Sequence, residues 1–268
     1  MSKPQLLYIG GEWVEGQGLS PNVNPSDLAE TIGHSAIGNA THVDAAVQAA
    51  RTALPGWSTS GIQARADALD RIGSEILARK DELGALLARE EGKTRPEAIG
   101  EVARAGNIFK YFAGEALRTP GELLPSVRPG IGVEITREPV GVVGIISPWN
   151  FPIAIPAWKI APALAYGNCV VFKPADIVPA SAWALAEIIS RAGLPAGVFN
   201  LVMGAGRAVG QAIVDHAGID AVSFTGSQGV GKAVAAACVA RGAKVQLEMG
   251  GKNPQVVLDD AELATAVE

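Results

Sequence analysis

The stretch Pro148-Trp149-Asn150-Phe151-Pro152 comes one residue after the apolar run Gly141-Val142-Val143-Gly144-Ile145-Ile146. A run rich in Val and Ile, flanked by Gly and Pro, predicts a buried strand, and Pro152 suits the first position of a helix. This pattern places Asn150 at the carboxyl end of a strand and beside a helix start, where open α/β sheets bind their ligands. The Asn150 amide could polarise a carbonyl oxygen there, or it could only bond the local backbone in an Asx-turn.

Beyond residue 141 the chain alternates short Val-rich strands with helical segments. Helices of about ten residues between such strands predict βαβ units and a parallel sheet. The predicted fold is therefore α/β, with a Rossmann-like doubly wound parallel sheet. Strands are predicted at 142–146, 169–172, 198–202, 221–224 and 245–247, and helices at 157–166, 180–192, 207–216 and 229–241.

The composition excludes several classes of protein. Among 268 residues 48% are hydrophobic and 18% are charged, which is typical of a globular chain. A net charge of −5 without a basic patch argues against nucleic-acid binding. No apolar run reaches the roughly 18 residues of a membrane span, and no secretory signal is visible. The two cysteines, Cys169 and Cys238, form neither a metal pattern nor a disulfide framework, so we expect no metal and a cytoplasmic location.

Two further motifs at predicted strand ends suit a dinucleotide. In Lys173-Pro174-Ala175-Asp176 a cation and an acid could hold the hydroxyls of a ribose, or they could form a solvated surface ion pair. In Phe224-Thr225-Gly226-Ser227 a strand enters a Gly-rich turn and a helix that contains Gly231. Free N–H groups there could bind a pyrophosphate, although an ordinary helix N-cap without a ligand has the same sequence pattern. The turn from Gly204 to Gly206, which leads to Gly210, gives slight further support to a pyrophosphate site.

A fourth motif, Leu247-Glu248-Met249-Gly250-Gly251-Lys252, places a carboxylate at the end of an apolar strand. Such a carboxylate can act as a proton acceptor. The alternative is an acid that is satisfied by nearby N–H groups.

The four motifs, in this order, resemble the NAD(P)-dependent aldehyde dehydrogenase family, and the likeness covers nearly the whole chain. The semialdehyde branch, with its succinic and 2-oxoglutaric semialdehyde dehydrogenases, is the most similar. The resemblance implies that Asn150 supplies an oxyanion-hole amide, that Glu248 is the general base and that Lys159 lies near the active site. It also implies a cofactor site made of Ile146, Ser147, Trp149, Lys173, Ala175, Asp176, Gly206, Gly210, Phe224, Thr225, Gly226, Ser227, Gly231 and Glu248.

The implied reaction oxidises an aldehyde to a carboxylate. A Cys thiolate attacks the carbonyl, a hydride passes to NAD or NADP, and a water activated by the Glu hydrolyses the thioester. Asp176 would repel a 2′-phosphate, which slightly favours NAD, but it is shorter than the acid that the family often has here and so leaves room for NADP. Neither Cys169 nor Cys238 matches the nucleophile motif, so we interpret both as small core residues. We expect the nucleophile beyond residue 268 and no turnover by residues 1–268 alone. The alternative is a non-catalytic dinucleotide-binding module that ends at residue 268.

The resemblance also implies a small-molecule aldehyde as substrate and a homo-oligomer, a dimer or a tetramer, for the full-length protein. Arg104, Phe151 and Trp158 match positions that line the aldehyde channel of the family. An Arg104 cation could pair with the distal carboxylate of a semialdehyde, or it could extend from its helix into solvent.

On this interpretation the chain divides into four segments. Residues 1–118 are expected to form a hairpin and helices packed on the cofactor domain, and residues 141–250 the dinucleotide-binding α/β core. Residues 119–140 are expected to form a β-ribbon, which is either a subunit contact or a surface hairpin. Residues 251–268 begin a strand and a helix without a closing element, so we expect them to start a truncated catalytic domain.

Overall fold

A seven-stranded sheet forms the centre of the computed structural model, which describes residues 3–118 and 121–267. The strands in chain order are β1 (Leu7–Ile9), β2 (Glu12–Val14), β3 (Leu19–Val23), β4 (Thr31–Ala36), β5 (Glu122–Pro125), β6 (Gly132–Ile135), β7 (Val142–Ile146), β8 (Cys169–Lys173), β9 (Phe199–Leu201), β10 (Ala221–Gly226) and β11 (Lys244–Met249). The order across the central sheet is β11-β10-β7-β8-β9-β1-β2, while β3–β4 and β5–β6 form two separate pairs.

The sheet is mixed, so the prediction of a wholly parallel sheet is wrong at one edge. The five predicted strands form and run parallel, but β1 pairs antiparallel with both β9 and β2. The amino-terminal hairpin thus extends the sheet. Asn200, fully buried in β9, fixes this edge because its Oδ1 accepts from the backbone N–H of Gly10 at 2.9 Å.

Helices cover both faces of the sheet. They are α1 (Ala40–Ser58), α2 (Ile62–Ala78), α3 (Lys80–Glu91), α4 (Arg95–Ala116), α5 (Ala154–Ala165), α6 (Pro179–Ser190), α7 (Gln211–Asp215), α8 (Gln228–Ala240) and α9 (Leu263–Val267), with a π-helical turn at Gly206–Gly210 before α7. On one face α1, α7 and α8 pack together, and on the other α5 and α6 pack against α2, α3 and α4. None of these described helices is long and apolar enough to cross a membrane.

The crossovers create a switch point in the strand order. From β7 the chain proceeds through β8 to β9 on one side, and it then returns to β10 and β11 on the other side of β7. In open α/β sheets a crevice forms beyond the carboxyl ends of the strands at such a point. The loop from Ser147 to Ile153 leaves β7 at this crevice. Helix α5 begins at Ala154, two residues after the start predicted at Pro152.

The β5–β6 ribbon stands apart from the central sheet and is exposed along both strands. Its apolar side chains include Leu123, which is 82% exposed. Thr119 and Pro120, the first two residues of the predicted ribbon segment, lie outside the described residues. The subunit contact stays a prediction.

The predicted strand in the carboxyl-terminal segment does not form in the described residues. Residues 250–257 are exposed and irregular, and the short helix α9 follows. A strand needs a neighbour to satisfy its backbone groups, and β11 is hydrogen-bonded only to β10 within the described sheet.

Candidate active site

A cleft of about 1250 Å³ opens at the carboxyl ends of β7, β8, β10 and β11. Most of the residues predicted for the site line it. They are Ile146, Ser147, Trp149, Asn150, Trp158, Lys173, Ala175, Asp176, Gly206, Gly210, Phe224, Thr225, Gly226, Ser227 and Glu248. The fold therefore brings these residues to one place, and their individual roles stay predictions.

The register of the parallel strands explains this convergence. Ile146 pairs with Lys173 on one side and with Phe224 on the other. One residue beyond Phe224, Thr225 pairs with Glu248. Because these strands end at the same level, the residues that follow them meet at one edge of the sheet.

Asn150 is exposed, and its side chain has no hydrogen-bond partner among the described residues. Its backbone carbonyl accepts a hydrogen bond from Lys93 Nζ at 2.8 Å. Within residues 3–118 and 121–267 no group bonds its side-chain amide, so the Asx-turn alternative is not what the loop adopts. The amide is therefore available to donate to a ligand in the cleft.

Lys173 is only 3% exposed, so it does not form the solvated ion pair that was the alternative for this motif. Its Nζ donates to the carbonyl oxygen of Pro174 at 2.6 Å. Burial lowers the pKa of Lys173, and the charge of Asp176 partly offsets this shift. An ammonium has three donors. Since Pro174 is its only hydrogen-bond partner in the described part of the chain, two donors remain for a ligand.

Glu248 lies at the end of β11 and is exposed. Its Oε1 accepts from Gln246 Nε2 at 2.9 Å, and no backbone N–H of the described residues bonds it. The Glu248 carboxylate is therefore not satisfied by neighbouring N–H groups, which was the alternative for this motif. Lys159, a buried residue of α5, donates to Gln246 Oε1 at 3.0 Å and to Ser223 Oγ at 2.8 Å. Gln246 thus connects Lys159 with Glu248.

The Lys159 ammonium is expected to titrate near pH 8, because burial lowers its pKa to about 8 and Glu248 only partly opposes this. The unfolded chain, with a pKa near 10.5, holds this proton more tightly, so stability should rise with pH from about 8 to 10.5. The ¹³Cε chemical shift of Lys159, followed against pH, gives the midpoint of its titration, and the signal is assigned because it disappears in Lys159→Met. Glu248→Gln should lower this midpoint further. Glu12→Gln, on the opposite edge of the sheet, should leave the midpoint unchanged. A midpoint above 10 would contradict this assignment.

The start of α8 and two unpaired hydroxyls suit a polar ligand. Ser227 caps α8 by accepting from the N–H of Val230 at 3.4 Å. Ser147 Oγ and Thr225 Oγ1 are buried without a hydrogen-bond partner among the described residues. Buried polar atoms are normally paired, so two orphaned hydroxyls at a cleft fit a ligand with polar atoms of its own. The N-terminus of α8 fits an anion.

Three predicted site residues do not line this cleft. Gly231 is buried in α8, where a Cβ would collide with Met249 Sδ, so it lets α8 approach the end of β11. Arg104 is exposed on α4, and no acid of the described residues pairs with it. Phe151 lies under Lys93, whose Nζ is 4.2 Å from the ring centroid. The roles of Arg104 and Phe151 stay predictions.

Sequence reasoning missed part of the lining. The omitted residues lie in the loop after β7, in the first turn of α5, in the first two turns of α8, in the π-helical turn with α7, and at the end of β11. Gly210 follows Gly206 by about one helical turn, and this spacing could have indicated that neighbouring side chains of the same turn also line the cleft. The omitted residues are Pro148, Ile155, Arg207, Gln211, Val214, Gln228, Gly229, Val230, Ala233, Val234, Met249 and Gly250.

Neither cysteine reaches the cleft. Cys169 in β8 and Cys238 in α8 are both fully buried. Burial raises the pKa of Cys169 to about 12, so its thiol is not a nucleophile at neutral pH. Among the residues that the structure describes, no group of three His, Cys, Asp or Glu side chains could hold a metal ion.

The aldehyde dehydrogenase family model matches residues 13–268. Alpha-ketoglutaric semialdehyde dehydrogenase of Bacillus subtilis is 47% identical over 265 residues, which cover 98% of this chain and 54% of that protein. Among solved structures, betaine aldehyde dehydrogenase of Staphylococcus aureus in complex with NAD+ is 37% identical with a TM-score of 0.95, covering 98% of this chain and 53% of that one. An NADP dependent enzyme of Escherichia coli is also 37% identical with a TM-score of 0.95, covering 98% and 55%.

The chain spans about half the length of the curated relatives it matches. The family match nevertheless covers nearly all of its own residues, in agreement with the resemblance that its motifs indicate. The chain belongs to the aldehyde dehydrogenase family.

Proposed function

We propose that this chain is the cofactor-binding part of an NAD(P)-dependent aldehyde dehydrogenase and that it supplies two of the groups that act on the aldehyde. One observation carries the proposal: Asn150 and Glu248 line the same cleft as Lys173, Asp176 and the first turn of α8. A module that only binds a dinucleotide needs neither a free amide nor a carboxylate at this place.

The residues of the cleft fit NAD or NADP. The N-terminus of α8 would offer N–H groups to a pyrophosphate, and the two remaining donors of Lys173 would be available to the hydroxyls of a ribose. The orphaned hydroxyls of Ser147 and Thr225 gain partners from a bound polar ligand. When bound, the dinucleotide accepts a hydride from the substrate carbon.

Asn150 acts on the carbonyl oxygen of the substrate. As a nucleophile adds to the carbonyl carbon, the oxygen becomes negative, and the unbonded amide of Asn150 donates to it. The nucleophile is a thiolate supplied from outside residues 1–268, because Cys169 and Cys238 are buried away from the cleft. The sulfur–carbon bond forms as the carbonyl π-bond opens, and transfer of the hydride from the same carbon to a bound dinucleotide would re-form the carbonyl and leave a thioester.

Glu248 acts in the second half of the reaction. Its carboxylate takes a proton from a water molecule, whose oxygen adds to the thioester carbon. The carbon–sulfur bond then breaks, which releases the carboxylic acid and returns the thiolate. Because Glu248 is exposed, it can pass the proton to solvent and reset.

Replacing Lys173 with Met should weaken NAD binding by the 268-residue chain about 30-fold, because a charge-assisted hydrogen bond contributes roughly 2 kcal/mol. Titration calorimetry with NAD and with NADP gives both dissociation constants. We expect NAD to bind more tightly than NADP, since the exposed carboxylate of Asp176 at the cleft repels a 2′-phosphate.

Lys232→Met is the matched control for this titration. Lys232 is exposed in α8, and it is not among the lining residues of the cleft. Its replacement should leave both affinities unchanged. If the wild-type chain binds neither dinucleotide, the proposed function is wrong.

We infer that the substrate is an anionic semialdehyde and that Arg104 binds its distal carboxylate. Two observations support this: the Arg104 guanidinium has no acidic partner within the described residues, and the Bacillus subtilis relative is a semialdehyde dehydrogenase. Arg104→Ala in the full-length enzyme should raise the KM for a semialdehyde about tenfold and leave the KM for a neutral aldehyde unchanged. Steady-state kinetics with both substrates measure this, and equal effects on the two would exclude carboxylate recognition by Arg104.

A further inference from the structure

Two charged side chains from the helical region bind the loop that carries Asn150. Lys93 lies between α3 and α4, and its Nζ donates to Glu101 Oε2 at 2.7 Å and to the carbonyl oxygen of Asn150 at 2.8 Å. The same ammonium lies over the ring of Phe151. The adjacent Glu91 carboxylate is 3.8 Å from it. Lys93 therefore contacts two consecutive residues of the loop.

Glu101 holds the other end of the loop. The backbone N–H groups of Ile153 and Ala154 donate to Glu101 Oε1 at 3.0 and 3.1 Å. These groups belong to the N-terminus of α5, where N–H groups have no partner within the helix. The carboxylate thus caps α5, and this places the helix start at Ala154.

Both side chains are withdrawn from solvent. The exposed fraction is 1% for the Glu101 side chain and 13% for that of Lys93. Water cannot readily replace either partner there, so the two charges depend on each other and on the loop backbone. We call Lys93 and Glu101 the loop clamp.

We propose that the loop clamp positions Asn150 and Trp149 for catalysis and for cofactor binding, an inference that rests on the function proposed above. Its bonds go to backbone groups of the loop and leave the side-chain amide of Asn150 free. Lys93 and Glu101 are accordingly positioning residues, because neither is among the residues that line the cleft. An oxyanion donor must be fixed before the reaction, since reorganisation of the donor would cost part of its effect.

Lys93→Met tests the clamp in the 268-residue chain. It removes the donor to the Asn150 carbonyl and keeps the length of the side chain. We expect the backbone order parameters of Asn150 and Phe151, from ¹⁵N relaxation, to fall from about 0.85 to below about 0.6. Lys110→Met is the matched control, because Lys110 pairs with Asp70 on the exposed side of α4. Unchanged order at Asn150 in Lys93→Met would overturn the proposal.

The double variant Lys93→Met with Glu101→Gln separates positioning from general stability. It removes the charges of Lys93 and Glu101 together, so the free energy of unfolding should recover part of what Lys93→Met loses, while the Glu91 carboxylate, 10% exposed, still lacks its cation. The carbonyl of Asn150 still lacks its donor, so the loop should stay mobile and NAD should bind several-fold more weakly than in the wild type. Recovery of loop order together with stability, or failure of the double variant to fold, would overturn the positioning role.

The readouts distinguish this inference from the proposed function. If the wild-type chain binds no dinucleotide, the proposed function fails, while the order parameters still report on the clamp. If the wild type binds NAD and Lys93→Met keeps both its loop order and its affinity, the clamp fails and the proposed function stands.

Discussion

Glu248→Gln should lower kcat for aldehyde oxidation by the full-length enzyme about 10³-fold, because a positioned general base contributes roughly 10²- to 10⁴-fold. Gln has the same size, and its carbonyl oxygen can still accept from Gln246 Nε2, so the site keeps its shape. In the proposed mechanism this substitution removes the proton acceptor for the water that hydrolyses the thioester. Thiolate attack and hydride transfer precede that step in the proposed mechanism, so one equivalent of NADH should still form in a rapid burst. Stopped-flow absorbance at the NADH band measures burst and steady state together.

Two outcomes would contradict this role. A variant that loses its burst as well would place Glu248 before hydride transfer, and a variant with wild-type kcat would exclude it as the base. Glu12→Gln is the control, because Glu12 is an exposed glutamate in β2, at the opposite edge of the sheet from β11. It should leave both phases unchanged.

The sheet and the cleft were predictable because they depend on local patterns. The five parallel strands are short Val-rich runs between helical segments, and each candidate motif lies at the carboxyl end of one of them or in the loop that follows. Parallel strands put all their carboxyl ends on one edge, so strand assignment was enough to bring Lys173, Asn150, Ser227 and Glu248 together. No knowledge of long-range contacts was needed.

The features that the sequence could not predict depend on contacts between distant residues. Tyr8 pairs with Leu201, and no periodicity in either segment indicates that the hairpin joins this edge of the sheet. The loop clamp is a second case, since Lys93 and Glu101 read as ordinary surface charges of a helical region. Their burial follows only from the packing of α4 against α5. Glu101 also accepts from the N–H groups of Ile153 and Ala154 where α5 begins, two residues after the predicted start at Pro152, and nothing in the local sequence indicates this distant cap.

Glu90→Ala should lower the free energy of unfolding of the chain by about 4 kcal/mol, because it removes a buried carboxylate that satisfies three donors. Glu90 is 2% exposed at the end of α3. Its Oε1 accepts from Asn22 Nδ2 and from the N–H of Ala180, both at 2.5 Å, and its Oε2 accepts from the N–H of Ser181 at 2.7 Å. Alanine would leave all three donors without a partner and a cavity beside them. Urea unfolding followed by circular dichroism measures the change.

Two companion variants make the Glu90 result specific. Glu82→Ala lies in the same helix with a side chain that is 65% exposed, so its effect should stay within about 1 kcal/mol. Glu90→Gln keeps the volume and one acceptor oxygen, so it should fall between alanine and the wild type. The N–H groups of Ala180 and Ser181 belong to the first turn of α6, so Glu90 caps this helix. A Glu90→Ala variant as stable as Glu82→Ala would show that this cap contributes little. Helix α6 follows the loop of Lys173 and Asp176, as α5 follows that of Asn150. Glu90 and Glu101 therefore cap α6 and α5, the helices that follow these two loops, from the same helical region.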